Sequence, residues 1–178
     1  MRRRSQLSLA AEIVATGREM LRLGLVAGTS GNVSAREGDL VVITPSALPY
    51  ESMTDDDLVT LSLDGAVVAG TREPSSERRV HLAVYAARPD ARALVHTHSE
   101  HATAWSHLGE PLGDVLTAPH APSGSDEIAA AAVEALGDRD AVLLGRHGVL
   151  ALGESPAAAL EVCVAVERRA REASPLSD

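Results

Sequence analysis

The chain of 178 residues contains no phenylalanine, and its other aromatic side chains are two tyrosines and one tryptophan. A protein of this length buries roughly 70% of the surface its unfolded chain exposes. The interior therefore has to be filled by Ala, Val, Leu and Ile, and the sequence offers these in short apolar runs separated by turn residues.

Read along its length, the chain alternates helical and strand signals. Residues 8–23 carry Leu9, Ile13, Val14, Met20 and Leu21 near helical spacing, with Ser8 as N-cap and Gly24 as stop. Strand signals follow at 32–35, 40–44 and 58–63, and Asp64-Gly65 reads as a hairpin turn into 66–69. Ser75 and Ser76 are expected to cap a helix ending near Ala87, before Pro89. A strand over 93–98, a helix over 100–106, a strand over 114–118 and a helix over 126–136 capped by Ser125 come next. Two strands, 141–145 and 148–152, surround a turn at Arg146-His147, and Ser155-Pro156 opens a last helix with proline at its first position. No repeat or linker interrupts the pattern. It predicts one mixed α/β domain over residues 1–178, with helices covering a largely antiparallel sheet.

Charge narrows the function. The formal net charge is −9, and all 16 basic residues are arginine, so the chain has no lysine. Schiff-base chemistry, a pyridoxal phosphate anchor and a P-loop lysine are thereby excluded. The acidic balance argues against nucleic acid or an anionic membrane as partner, each of which calls for a basic stripe. A lone cysteine, Cys163, cannot pair within the chain and falls in an apolar helical stretch, where a buried inert thiol is expected. The basic start Met1–Arg4 is followed by an apolar stretch broken by Glu12 and Arg18, which is not a signal-peptide core. The expectation is a cytoplasmic protein.

The residues with chemical promise are few. His96 and His98 end an apolar strand, where alternate residues project from one face with Cα atoms roughly 6.5–7 Å apart. They either line a polar edge or offer two nitrogens to one metal ion. His147 lies in Gly145-Arg146-His147-Gly148, at the end of another strand, as a solvated turn residue or as a third ligand. Three imidazoles with one open position is the arrangement of a catalytic zinc site. Glu77 follows Ser75-Ser76 at a helix start, where hydroxyls and free amides suit an anion, although serines that merely cap are the plainer reading. Thr29-Ser30-Gly31-Asn32 is open in the same way, as an anion nest or as a simple turn, and Thr44-Pro45-Ser46 adds uncharged hydroxyls.

Taken together, Thr29-Ser30-Gly31-Asn32-Val33-Ser34, Ile43-Thr44-Pro45-Ser46, Pro74-Ser75-Ser76-Glu77, Val95-His96-Thr97-His98-Ser99-Glu100-His101 and Leu144-Gly145-Arg146-His147-Gly148 resemble the class II aldolase/adducin family. The likeness is strongest to its L-fuculose-phosphate aldolase-like members and spans roughly residues 7–170. It implies an α/β/α sandwich around a mainly antiparallel sheet, commonly assembled as a homotetramer. It implies a divalent metal, zinc before Mn2+ or Co2+, on His96, His98 and His147. Glu77 is then the catalytic acid or base, which also reaches the empty metal site. Gly31, Asn32, Ser46, Ser75 and Ser76 hold the phosphate of a small phosphorylated sugar. The implied reaction is retro-aldol cleavage through a metal-stabilised enediolate.

Two features depart from the fuculose-phosphate aldolases. The stretch from Leu112 to Pro119 is shorter than the loop that brings their tyrosine proton donor, and Arg171–Asp178 lacks their tail tyrosine. His120 is a substitute donor or a solvated loop residue. Alternatives to the aldolase are a sugar-phosphate dehydratase or epimerase of the same family. From another class comes a non-catalytic adducin-like interaction module, which would have lost the metal ligands retained here.

Overall fold

A computed structural model describes residues 8–173. In chain order the elements are α1 (Leu9–Arg22), β1 (Asn32–Glu37), β2 (Leu40–Ile43), β3 (Val59–Ser62), β4 (Val67–Ala69), α2 (Arg78–Ala87), β5 (Ala93–Thr97), α3 (Glu100–Ser106), β6 (Thr117–Ala118), α4 (Asp126–Leu136), β7 (Ala141–Leu144), β8 (Gly148–Gly153) and α5 (Pro156–Ala173). The strands form one eight-stranded sheet in the order β4-β3-β2-β1-β5-β8-β7-β6. Every pairing is antiparallel except the short β6–β7 pair. The basic start Met1–Arg4 and the tail beyond Ala173 lie outside the described residues.

Alternation along the central strands builds both faces of the sheet at once. Ala93 and Val95 of β5, Leu143 of β7, and Val149 and Ala151 of β8 join one apolar cluster with α1, α3 and α5. Leu94, Val142, Leu144, Leu150 and Leu152 point the other way and pack with α2 and α4. Both faces are dry, so β5, β7 and β8 read as nearly continuous apolar runs. The α/β/α sandwich is therefore present, and its interior is aliphatic as the composition required. Cys163 is fully buried, and burial pushes its thiol up to about 12, so it stays protonated. Among the described residues no helix is long and apolar enough to cross a membrane.

Local chemistry places the helix starts. Ser8, Ser125 and Ser155 each accept a hydrogen bond from the backbone N–H three residues on, satisfying a first-turn amide. Two expectations need correction. Ser75 and Ser76 do not cap α2; they form a turn, and Glu77 occupies the cap position without capping with its side chain. The reason is long-range: the Ser75 N–H is bonded to the Thr44 carbonyl and Pro45 bridges Pro74, which ties this turn to the end of β2. The strand expected over 114–118 shrinks to Thr117–Ala118, because Leu112 and Val115 bond each other across a turn at Gly113 (φ +64°).

Candidate active site

Strand parity decides where the histidines go. His96 follows Leu94 by two residues and so faces the α2 side, whereas Thr97 faces away. The start of β1 lies beside it, with Asn32 opposite His96 in register, and Leu150 of β8 lies on the other side. Glu77, at the N-cap of α2, comes down onto this strand end. His98 stands just past β5, and His147 arrives on the turn between β7 and β8.

The four side chains converge. One ligand atom from each of Glu77, His96, His98 and His147 lies within 4.8 Å of all the others, and among the described residues no other such group occurs. Glu77 Oε2 is 3.2 Å from His96 Nε2, and Oε1 is 3.0 Å from His147 Nε2. The Nε2 atoms of His96 and His98 are 2.7 Å apart. The three rings stand edge-on to one another, with centroids 4.6 to 4.8 Å apart.

This donor set fits a divalent cation. His96 Nδ1 lies 2.7 Å from the Val149 carbonyl, so Nδ1–H donates there and the Nε2 lone pair is left facing the cluster. Two imidazole lone pairs aimed at one point repel unless a proton or a cation sits between them. Three nitrogens plus a carboxylate is a set that zinc and several other ions accept.

Charge in the cluster is strongly coupled. Burial opposes ionisation of Glu77, but His96 and His147 outweigh it and hold the carboxyl well below its usual range. Burial likewise opposes charge on His96, and Glu77 overcomes it and raises His96. His98 is pushed down to about 4, first by burial and then by His96 and His147.

The glycines of Gly145-Arg146-His147-Gly148 serve close approach rather than turn conformation. A Cβ on Gly145 would sit 2.6 Å from the Ala118 carbonyl, and one on Gly148 would collide with the Thr97 carbonyl. The left-handed position in the turn is taken by Arg146 (φ +59°). Gly31 combines both demands: its φ is +75°, and a Cβ there would meet the His96 carbonyl at 2.6 Å.

Gly31, Asn32, Ser46, Ser75 and Ser76 line one cleft with Glu77, His98 and His147. Ser46 and Ser76 are exposed in it, while Ser75 is buried and its Oγ accepts from the Glu77 N–H. Asn32 is also buried, and its amide is engaged on both sides. Nδ2 donates to Glu77 Oε2 at 2.8 Å, and Oδ1 faces His81 Nε2 at 2.5 Å. His120 is exposed and is not one of the residues lining this cleft, with Nδ1 3.1 Å from the Gly145 carbonyl.

Two residues of the site escaped sequence reasoning. Ser123 donates to Glu77 Oε1 at 3.0 Å, but its segment reads only as the lead-in to α4. His81 is wholly buried beneath Asn32. Its signal was available, since it follows Glu77 by one helical turn.

Burial, then His96, pushes His81 down to about 3, with Glu77 opposing only in part. In the unfolded chain its pKa is about 6.5. Between these values the unfolded state takes up a proton that the folded state refuses, so stability falls as pH drops from 6.5 towards 3. The slope is roughly 1.4 kcal/mol per pH unit for this group. Urea midpoints of wild type and His81→Gln, compared at pH 7.5 and 5, are expected to show the shallower loss in the variant. Equal losses would contradict the buried neutral imidazole.

The family model for the class II aldolase and adducin N-terminal domain matches residues 11–173. A 5-deoxy-D-ribulose 1-phosphate aldolase of Bacillus thuringiensis is 44% identical over 153 residues, covering 79% of this chain and 72% of that protein. An L-fuculose phosphate aldolase of Escherichia coli is 41% identical over 155 residues, covering 80% and 72%. Among solved structures, an L-fuculose 1-phosphate aldolase superposes with a TM-score of 0.89 at 31% identity, over 94% of this chain and 85% of that one.

Proposed function

The chain belongs to the class II aldolase and adducin family, and on that premise we propose that it is a metal-dependent lyase of phosphorylated ketoses. It cleaves them by a retro-aldol reaction into a small aldehyde and a phosphorylated three-carbon ketone. The observation carrying this reading is the convergence of His96, His98, His147 and Glu77, three of which, Glu77, His98 and His147, also line a hydroxyl-bearing cleft. The named aldolase activities of the similar proteins support it.

His96, His98 and His147 would hold the cation, zinc before manganese or cobalt, with Glu77 as a fourth ligand when substrate is absent. When bound, it supplies positive charge for the negative charge that develops on substrate oxygens as the carbon–carbon bond breaks. Glu77 moves the proton. In cleavage the hydroxyl beyond the breaking carbon–carbon bond gives up its proton to solvent as its oxygen becomes the aldehyde carbonyl. Glu77, in its protonated form, delivers a proton to the carbon beside the ketone; in bond formation the ionised carboxylate removes that proton.

The phosphate is held without lysine. Ser46, Ser75 and Ser76 offer hydroxyls, and Gly31 and Asn32 bring backbone to the same cleft. An acidic chain can bind an anion this way because hydroxyls and amides act at hydrogen-bond range, where the cation also contributes. We infer as well that the chain assembles as a homotetramer. An apolar groove between α1 and α5, with Leu23 and Val164 exposed, is a surface such an assembly would cover.

Native purification followed by elemental analysis, light scattering and NMR of product mixtures tests the reading. Expected results are about one divalent ion per chain, a tetramer mass, and an aldehyde appearing together with the phosphorylated ketone. Loss of water, or inversion at a carbon with no aldehyde, would favour the dehydratase or epimerase. Protein that takes up neither zinc nor manganese would favour the interaction module, and a monomer mass would overturn the assembly.

A further inference from the structure

Behind Glu77 lies a stripe of polar side chains that the reaction as described leaves without a task. Glu77, His81 and Tyr85 follow one another at one-turn intervals along α2, and they face Asn32 and Ser34, alternate residues on one side of β1. All five are buried, with exposures between 0 and 6%. They form an unbroken chain. Asn32 bonds Glu77 at 2.8 Å and His81 at 2.5 Å, and Ser34 Oγ bonds His81 Nδ1 at 2.7 Å and the Tyr85 hydroxyl at 2.9 Å.

The direction of every bond in the chain follows from its first member. A carboxylate only accepts, so the Asn32 amide must turn its NH2 to Glu77 and present Oδ1 to His81. His81 Nε2 must then carry the proton, and a neutral ring has Nδ1 free to accept from the Ser34 hydroxyl. Ser34, having donated, accepts from Tyr85. Reversing any one link sets two donors or two acceptors face to face inside the protein.

We propose that His81 is a positioning residue for the lyase reaction. As the Nε2–H tautomer it locks the Asn32 amide so that N–H faces Glu77, which fixes the carboxylate against His96 and His147. The proposal rests on Glu77 being the proton-moving group. Without the His81 donor the Asn32 Oδ1 is left buried and unpaired, and the amide is no longer held in the place from which its N–H fixes the carboxylate. Partners at one remove from a reacting or ligating group are worth about 10–100-fold in activity.

Glutamine is the informative replacement. Its amide carries one donor and one acceptor at nearly the separation of the two imidazole nitrogens, so His81→Gln can serve both Asn32 and Ser34, whereas His81→Leu serves neither. For His81→Leu the expected result is kcat lower by about 10–100-fold with KM within about threefold, and for His81→Gln most of kcat is restored. Long-range 1H–15N spectra of the wild type, loaded with zinc, are expected to show His81 as the Nε2–H tautomer. If leucine abolishes folding, Ser34→Ala breaks the chain one link further on and is expected to lower kcat in the same way.

Equal losses in the glutamine and leucine variants would overturn the proposal, as would unchanged kcat in leucine or in Ser34→Ala. An Nδ1–H tautomer or a charged ring at His81 would overturn it independently of any turnover. A wild type that cleaves no sugar phosphate defeats the parent reading instead, and the spectrum still reports on the chain of bonds.

Discussion

Glu77→Gln is expected to fold, to keep its metal and to lose turnover by about 10²–10⁴-fold, the usual worth of a positioned general acid–base group. Folding survives because of how the carboxylate is shared. Oε2 accepts from the Asn32 amide, and a glutamine oxygen in that place accepts equally well. The glutamine NH2 then replaces Oε1, where Ser123 now donates at 3.0 Å. A hydroxyl can turn and accept, and His147 Nε2, 3.0 Å from the same oxygen, carries no proton when it ligates the metal, so no donor is left facing a donor. What disappears is the ability to take a proton from carbon. Circular dichroism, elemental analysis and steady-state kinetics on one preparation check all three parts. Turnover within about threefold of wild type would remove Glu77 from the proton-moving role that general acid–base catalysis requires.

His96→Ala is expected to lose both metal and activity, and to lose stability as well. At the end of a strand a ligand histidine looks expendable to the core, but His96 is 1% exposed and its ring bonds the Val149 carbonyl. Removing the ring orphans that bond and opens a void between β1 and β8. An unsatisfied buried group costs about 1–3 kcal/mol, which in a chain this size lowers Tm by roughly 3–10 °C. His147→Ala gives the contrast. Its side chain is 14% exposed on a turn rather than sealed in the sheet, so metal should be lost with a smaller fall in Tm than in His96→Ala. Metal content after dialysis and a thermal scan of both variants decide the matter. Full metal content in either would displace that histidine from the cluster.

Much of this was legible in the residues. The continuous apolar runs of β5, β7 and β8, the serine caps of α1 and α4 and the proline opening α5 are local signals, and the structure carries them. The absence of lysine closes the Schiff-base route whatever the fold. The histidines were legible as residues and as spacing, but a spacing of two along a strand equally describes a polar edge.

Other features were hidden for physical reasons. Ser75 and Ser76 looked like a helix cap because capping is a local preference, and a bond from Ser75 to Thr44 across the fold overrode it. Val115 looked like strand, and its backbone is spent on Leu112 instead. Asn32 looked like a turn residue beside a glycine. That it opposes His96 depends on the register of β1 against β5, and register is settled by which apolar side chains the whole sheet must bury.

The sequence by itself determined the chemistry available: no lysine amine, seven imidazoles with three of them in strand-end motifs, carboxylates and a supply of hydroxyls. Only the tertiary structure decided which of these act together. Glu77 meets His147 across 70 positions of chain, and His81 reaches the site through Asn32 rather than directly. Residue identity and helical or strand period are local properties, whereas contact between distant segments is fixed by the packing of two apolar faces on one sheet. The same burial that seals those faces holds Glu77, Asn32 and His81 in a single hydrogen-bonded arrangement.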